Sequence, residues 1–209
     1  MENRIEDRMT MMSKPISYFQ VSSPTDEKSI YEKVKLLDEN LKTVLNKNVS
    51  YKYLQLDGFS HYSMVPVAVP QALYHVFKGY QPINKQEYKD LQDTTSGFID
   101  YLTEKYKNIN ALYGVDMKIR LIDFMAIQNL IMRNGTAEEL KNLEKLASKE
   151  YPKTMLPYFI EASYYEKDGN YDKAIKAVEK GYSSKDIGMF TKGFMLEKLE
   201  DLKRKRAGQ

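Results

Sequence analysis

A serine and a histidine stand side by side in the stretch QLDGFSHYSMVP, residues 55–66, and hydrolases use both residue types for catalysis. A hydrolase serine is presented on a Gly-x-Ser-x-Gly turn, in which small residues two before and two after the serine let the strained backbone pass. Gly58 meets the first requirement, but Tyr62 occupies the second position and Pro66 delays the next helix. We therefore interpret Ser60 as a loop residue and not as a nucleophile.

His61 is the stronger candidate for chemistry, because an imidazole titrates near neutral pH and can exchange protons during a reaction. It follows a predicted strand, at the end where open α/β sheets place ligands and catalytic groups. The residues alone leave two interpretations open, a general acid/base or a surface-loop histidine, because no partner serine or oxyanion-binding loop is visible. The other histidine, His75, lies beside Tyr74 and Phe77 on a predicted helix, which favours a packing role.

Two predicted strands position this loop. The runs PISYFQVSS (15–23) and VSYKYLQLDG (49–58) are rich in β-branched and aromatic residues, as strands are. Residues 25–47 between them place apolar side chains on one helical face. Two strands joined through a helix pair in parallel, with a right-handed crossover. Further short helices are predicted at 2–12 and, after the histidine loop, up to Gly79.

No strand is predicted beyond residue 85, and helical patterns separated by turn residues follow instead. These helices are predicted at 85–107, 116–133, 137–150, 155–168, 171–183 and 187–206. Residues 155–188 fit a tetratricopeptide repeat unit. The small and aromatic residues of that unit are Ala162, Tyr165, Gly169, Tyr171, Ala174, Ile175 and Gly181. The predicted domains are therefore 1–84 and 85–209.

The composition excludes several classes of function. A net charge of +3, from 32 basic and 29 acidic residues, is too balanced to predict nucleic-acid binding. The basic run at 203–206 is interpreted as a solvated helix end, with a phosphate or membrane patch as the alternative. No apolar run reaches the length of a membrane span. The chain has no cysteine, no metal-ligand constellation and no phosphate or dinucleotide loop, so no cofactor or metal is predicted.

Residues 51–80 resemble the terminal histidine segment of the branch of α/β-hydrolases that includes the siderophore (ferric enterobactin) esterases. In those proteins a strand ends in a Gly-x-x-His-type loop, followed by a serine, a Val-Pro pair and a helix. The positions that match are Gly58, His61, Ser63, Val65 and Pro66.

A subset of these esterases carries a C-terminal helical extension that leads into tetratricopeptide-like helices. The positions that follow this layout are Tyr101, Leu102, Tyr106, Tyr113 and Gly114. The resemblance covers essentially all 209 residues; it is specific in the histidine loop and in 150–182, and weak over 1–48. It implies an α/β fold followed by all-α structure: the last two strands of a hydrolase sheet, then a tetratricopeptide-like domain.

The resemblance also implies roles for particular residues. His61 would be the histidine of a catalytic triad, and Asp26 or Glu27, just after the preceding strand, would be the acid that orients it. The alternative is that both acids serve the first turn of a helix. The nucleophile of the family lies well before this region, and nothing N-terminal to residue 15 could supply it.

Two functions therefore remain open. In the first, the chain is the C-terminal portion of an esterase that lacks its nucleophile and is inactive alone. In the second, it is a tetratricopeptide-like protein-interaction module with a degenerate hydrolase cap. The chain would be cytoplasmic if Met1 is its true start, and secreted or periplasmic if a signal peptide and an N-terminal half are missing.

An open sheet edge is expected in either case, because two parallel strands rarely stand alone. We expect strand 15–23 to pair with a missing N-terminal half or a second copy of the chain, or else to be covered by the N-terminal helix. No nucleic-acid or membrane partner is predicted.

Overall fold

The computed structural model describes residues 3–208, and this part of the chain is mainly helical. Its two strands are β1 (Ile16–Ser22) and β2 (Val49–Gln55). The helices are α1 (Asn3–Thr10), α2 (Lys28–Leu41), α3 (Val65–Val76), α4 (Lys85–Gln92), α5 (Phe98–Tyr113), α6 (Leu121–Asn134), α7 (Ala137–Glu150), α8 (Met155–Lys167), α9 (Tyr171–Gly181) and α10 (Lys192–Ala207). No helix among them is long and apolar enough to cross a membrane.

The predicted fold class, an α/β-hydrolase fragment followed by all-α structure, is wrong. About 62% of the chain is helical, and the one sheet within residues 3–208 has two strands of seven residues each. Two parallel strands normally belong to a larger covered sheet, but within residues 3–208 they form a sheet by themselves and the other regular elements are helices. The chain is a mainly α protein with a small parallel sheet, and it divides into two compact units between Gln81 and Pro82.

The sheet of the first unit is parallel, with Ile16 of β1 opposite Val49 of β2 and Ser22 opposite Gln55. Helix α2 makes the crossover that brings β2 alongside β1 in the same direction. The side-chain amide of Gln20 donates to the carbonyl of Val34 in α2, and this bond holds the helix to one face of the sheet.

The opposite face of the sheet contacts α3. The rings of Phe19 and His75 lie 6.1 Å apart, and His75 Nε2 donates to the carbonyl of Ser50 at 3.0 Å. The structure therefore uses His75 to attach α3 to the strands. With α2 on one face and α3 on the other, the carboxyl ends of both strands are left to the loops that carry His61 and its neighbours.

The N-terminal helix is anchored at the turn before β2. The side-chain amide of Asn46 donates to the carbonyls of Met9, Thr10 and Met12, at 2.8, 3.1 and 3.0 Å, and these hydrogen bonds hold the C-terminal end of α1. The sheet order is simply β1-β2, so no strand within residues 3–208 pairs with the outer edge of β1.

The second unit contains α4 to α10, and its first predicted helix is wrong. Residues 85–107 form the two helices α4 and α5, not one. Helix α4 begins at a capping box between Asn84 and Glu87. Gly97 precedes α5 with φ of 84°, in the left-handed region that glycine tolerates, and this turn separates the two helices. The helical spacing of apolar residues continues on both sides of this turn, so the sequence pattern does not indicate a break.

Helices α8 and α9 form a hairpin whose close packing depends on small residues. Ala162 and Ala174 are fully buried. A Cβ atom on Gly181 would lie 2.9 Å from the Cβ of Tyr158 and 2.7 Å from the Cε of Met195, so only glycine fits there without displacing a neighbour. The small residues at these three positions let α8 approach its neighbouring helices closely.

Candidate functional site

The two loops that follow β1 and β2 bring a carboxylate and an imidazole together. Because the strands are parallel, their carboxyl ends lie at the same edge of the sheet, and Asp26 and His61 follow these ends. His61 Nδ1 lies 2.9 Å from Asp26 Oδ2. The Asp26 side chain is 7% exposed and the His61 side chain is 57% exposed, so a carboxylate covered mainly by its own loops holds an accessible imidazole.

The carboxylate of Asp26 has a donor on each oxygen. The backbone N–H of Glu27 donates to Oδ1 at 2.8 Å, while His61 occupies Oδ2. The hydrogen bond from His61, followed by that from the Glu27 backbone, lowers the pKa of Asp26 below its ordinary value of 3.8. A carboxylate can only accept, so Nδ1 carries a hydrogen and Nε2 of the neutral ring presents a lone pair.

The lowered pKa of Asp26 predicts a definite pH dependence. Asp26 binds its proton more weakly in the folded chain than in the unfolded one, so the pairing stabilises the fold at pH values above 3.8. That contribution is lost as the pH falls through the lower, folded-state value. We expect the difference in unfolding free energy between wild type and Asp26→Asn to be constant from about pH 5 to pH 6 and to shrink progressively below pH 4. Chemical denaturation at a series of pH values measures it, and a difference that grows with acidification would contradict this assignment.

Glu27, the other predicted acid, lies elsewhere. Its carboxylate accepts a hydrogen bond from the hydroxyl of Ser29 at 2.6 Å, and the residue occupies the position before the first turn of α2. The sequence left the choice between Asp26 and Glu27 open, and the structure places only Asp26 against the imidazole. Glu27 contributes its backbone N–H to Asp26, which is a contact that no side-chain pattern predicts.

Thr25 ties the acid loop to the histidine loop, and sequence reasoning missed this role. The helical pattern was predicted from residue 25 onward, but α2 begins at Lys28. The Thr25 hydroxyl instead donates to the carbonyl of Phe59 at 2.5 Å and lies 2.9 Å from the hydroxyl of the buried Ser23. The loops on either side of the Asp26–His61 contact are therefore linked by a second, independent hydrogen bond.

Removing this link should loosen the Asp26–His61 contact. We expect Thr25→Val, which keeps the shape but loses the hydroxyl, to cost about 1 kcal/mol of unfolding free energy and to move the pKa of Asp26 back towards 3.8. Thr25→Ser keeps the hydroxyl and is the matched control. Carbon-detected NMR titration of the Asp26 carboxyl measures the pKa, and an unchanged titration in Thr25→Val would show that the link does not position the pair.

Ser60 takes part in a local turn and does not face His61 as a nucleophile would. Its hydroxyl lies 3.0 Å from that of Ser63, and its backbone N–H donates to the same Ser63 oxygen at 2.8 Å. The Ser63 hydroxyl in turn donates to the Ser60 carbonyl at 3.2 Å. These bonds shape the loop that leads into α3.

An apolar groove of about 420 Å³ begins at the Asp26–His61 pair and lies along β1 between α2 and α3. Asp26 and His61 are its charged or titratable residues, and Ser22 is its hydroxyl. The remaining lining residues are Phe19, Val21, Ile30, Val34, Met64, Val65, Ala68, Val69 and Ala72. Within residues 3–208, Nε2 of His61 has no hydrogen-bond partner, so it is available to a group outside them.

The two residues that the site brings together are an imidazole and a carboxylate. Across the residues that the structure describes, no three His, Cys, Asp or Glu side chains are grouped so that they could hold a metal ion. A histidine whose Nδ1 is held by a carboxylate can accept a proton at Nε2 and return it later in a reaction. Within the described residues, no hydroxyl group forms a hydrogen bond with Nε2 of His61.

Comparison with known proteins gives one structural likeness. No protein-family model matches the chain, and no curated protein matches it either. The fold is similar to the crystal structure of an uncharacterised protein from Capnocytophaga ochracea DSM 7271, with a TM-score of 0.73 and 27% sequence identity. The match covers 96% of this chain and 58% of that one, so this chain spans less than two thirds of its structural neighbour.

Proposed function

We propose that this chain supplies the histidine and the acid of a serine-hydrolase-type esterase, and that polypeptide outside residues 3–208 supplies the nucleophile. The observation that carries the proposal is the 2.9 Å contact between His61 Nδ1 and Asp26 Oδ2, beside an apolar groove and with Nε2 available. This is the half of a catalytic triad that activates a hydroxyl, without the hydroxyl itself.

The chemistry follows from the orientation of the imidazole. A serine hydroxyl that reaches Nε2 loses its proton to His61 as its oxygen attacks the ester carbonyl. Asp26 keeps the hydrogen on Nδ1 and stabilises the imidazolium that forms, because its carboxylate remains ionised. His61 then protonates the leaving alcohol, and in the second half of the reaction it takes a proton from the water that hydrolyses the acyl-serine.

The length of the structural neighbour supports an assembly in which further polypeptide accompanies this chain. The same architecture occurs there within a longer chain, of which 42% lies outside the match. Additional polypeptide of this kind could carry a nucleophile loop and oxyanion donors. Without it, this chain retains only the proton carrier, and a hydrolase without its nucleophile loses most of its rate.

A fluorophosphonate probe tests the proposal, because it reacts covalently with serines that a histidine has activated. We expect the probe to label one polypeptide that contains this chain or co-purifies with it from the cells that make it. His61→Ala should abolish the labelling, whereas His75→Ala should leave it unchanged, since His75 only packs α3 onto the sheet. Labelling that survives His61→Ala, or no labelled polypeptide at all, would overturn the proposal.

The purified chain alone provides the complementary measurement. We expect it to hydrolyse p-nitrophenyl butyrate no faster than its His61→Ala variant, within about twofold, because residues 3–208 present no nucleophile to Nε2. Robust turnover by the isolated chain that depends on His61 would show that the nucleophile lies within this chain after all.

A further inference from the structure

We propose that the outer edge of β1 and the flanking groove form a docking surface for one β-strand of the polypeptide that carries the nucleophile. The strand would run parallel to β1, and the helix after it would cover α3. This inference rests on the proposed function for the identity of the partner, but the surface itself is argued from the structure.

The edge of β1 offers unpaired backbone groups. The N–H of Ile16 donates to the carbonyl of Asn48, and the carbonyl of Ser22 accepts from the N–H of Leu56, so the even-numbered residues of β1 face β2. In a parallel pair, the backbone N–H and C=O groups of alternate residues point away from the partner strand. The N–H and C=O groups of Phe19 and Val21 therefore line the outer edge, where no strand within residues 3–208 pairs with them.

Helix α3 is apolar on more sides than the first unit covers. Its sequence, VPVAVPQALYHV, contains no charged residue apart from the titratable His75, and among its residues only Ala68 is buried. A helix that is hydrophobic all round normally lies inside a protein. The large apolar side chains of this helix and its flank that are between 39% and 59% exposed are Val65, Val67, Val69, Leu73, Tyr74 and Phe77.

The shape of the groove selects a strand as the occupant. Ile30 and Val34 of α2 lie on one side of the β1 edge, and Val65 and Val69 of α3 lie on the other. An incoming strand would meet apolar side chains on both of its faces, as the strands of covered parallel sheets do. The docked strand should therefore be a continuous run of β-branched and aliphatic residues, because a strand of alternating polar and apolar residues would bury its polar side chains.

The position of His61 fixes the direction of that strand. The imidazole lies at the carboxyl end of β1, so a nucleophile that follows the docked strand reaches Nε2 only when the strand runs parallel to β1. A second copy of this chain, related by a two-fold axis, would pair β1 antiparallel to itself and bring no nucleophile. The longer neighbouring structure, with 42% of its length outside the match, also favours additional polypeptide over a second copy.

Site-specific photo-crosslinking in the cells that make the protein tests this surface. p-Benzoylphenylalanine is introduced at Val65, in the groove, and in a separate variant at Leu36 of α2, which is 47% exposed and lies outside the groove lining. We expect position 65, and not position 36, to become joined to a peptide from outside residues 1–209, identified by mass spectrometry. The joined peptide should contain an aliphatic, β-branched run.

A charge placed in the groove provides the second arm. Val69 is 48% exposed, so Val69→Lys should leave the unit folded and yet lower the crosslinking yield from position 65 at least tenfold. Leu36→Lys, a matched exposed position, should change it less than twofold. Crosslinks only to peptides within residues 1–209, which a second copy would give, overturn the docking proposal, as does a yield that Val69→Lys leaves unchanged.

The probe labelling separates this inference from the proposed function. A polypeptide that is crosslinked at position 65 and labelled by the fluorophosphonate in a His61-dependent manner supports both. A crosslinked polypeptide that the probe never labels supports the docking surface and overturns the esterase. His61-dependent labelling without any crosslink from position 65 supports the esterase and overturns the docking surface.

Discussion

Asp26→Asn is expected to lower kcat of the proposed esterase, this chain together with the polypeptide proposed to carry the nucleophile, by about 10³- to 10⁴-fold. Asparagine keeps the size of the side chain but presents an amide that can donate to Nδ1, so the ring loses the tautomer with a lone pair at Nε2. The folded structure should persist, because the amide oxygen of the new side chain can still accept the Glu27 backbone N–H that now reaches Oδ1 of Asp26. Ester hydrolysis by the fluorophosphonate-reactive assembly measures the effect.

Glu27→Gln is the matched control for this prediction. Glu27 is the neighbouring acid, and its carboxylate contacts the Ser29 hydroxyl and not the imidazole. We expect kcat of Glu27→Gln to stay within about twofold of wild type, since no group at the reacting atoms changes. Equal losses in the two variants would mean that the helix start, and not the Asp26 side chain, orients His61.

The sequence could predict that an acid and His61 would meet, but not which acid. Two strands joined by a helix are parallel, and parallel strands end at the same edge, so loops after residues 23 and 58 had to be neighbours. Asp26 and Glu27 are adjacent in sequence and differ only in the direction of their side chains. That direction depends on the turn before α2, which Thr25 and Ser23 shape through hydrogen bonds to each other and to Phe59.

The fold class could not be predicted from the strands, because a strand pattern reports only local structure. Residues 15–23 and 49–58 were identified correctly as a parallel pair, yet seven paired residues in each strand are too few to define the class of a mainly helical chain. The break before α5 was missed for a related reason. Gly97 makes a left-handed turn without disturbing the apolar period on either side.

The basic C-terminal run shows how charge patterns gain meaning from packing. The sequence suggested a solvated helix end at 203–206, with an anion-binding patch as the alternative. In the structure Lys205 contacts Glu166 at 2.6 Å and Asp201 at 2.7 Å, and Arg206 contacts Asp172 at 2.9 Å. These two side chains are therefore engaged with carboxylates of the same helical unit.

Glu166→Ala is expected to lower the free energy of unfolding of the helical unit by about 3 kcal/mol. The Glu166 carboxylate is buried on α8 and accepts hydrogen bonds from Lys198 and Lys205 of α10. Burial alone would raise its pKa, but the two ammonium groups lower it below 4.5, so the carboxylate is ionised at neutral pH. Removing it leaves the largely buried ammonium of Lys198 without this partner, and an unpaired buried charge is costly.

Asp172→Ala tests whether the burial of this pair, and not the number of ion pairs, sets the effect. Its contact with Arg206 also joins α9 to α10, but both side chains are largely exposed, so we expect a cost of about 0.5 kcal/mol of unfolding free energy or less.

The pKa of Glu166 is lower in the folded chain than its ordinary value of 4.5. Its contribution to the unfolding free energy is therefore complete above pH 4.5 and is lost as the pH falls through the lower, folded-state value. Urea denaturation followed by circular dichroism should therefore show a gap between Glu166→Ala and wild type that narrows below pH 4.5. Equal costs for the two variants at neutral pH would mean that α10 is held to the unit by its apolar face, with Met195, Leu199 and Leu202, and not by the buried carboxylate.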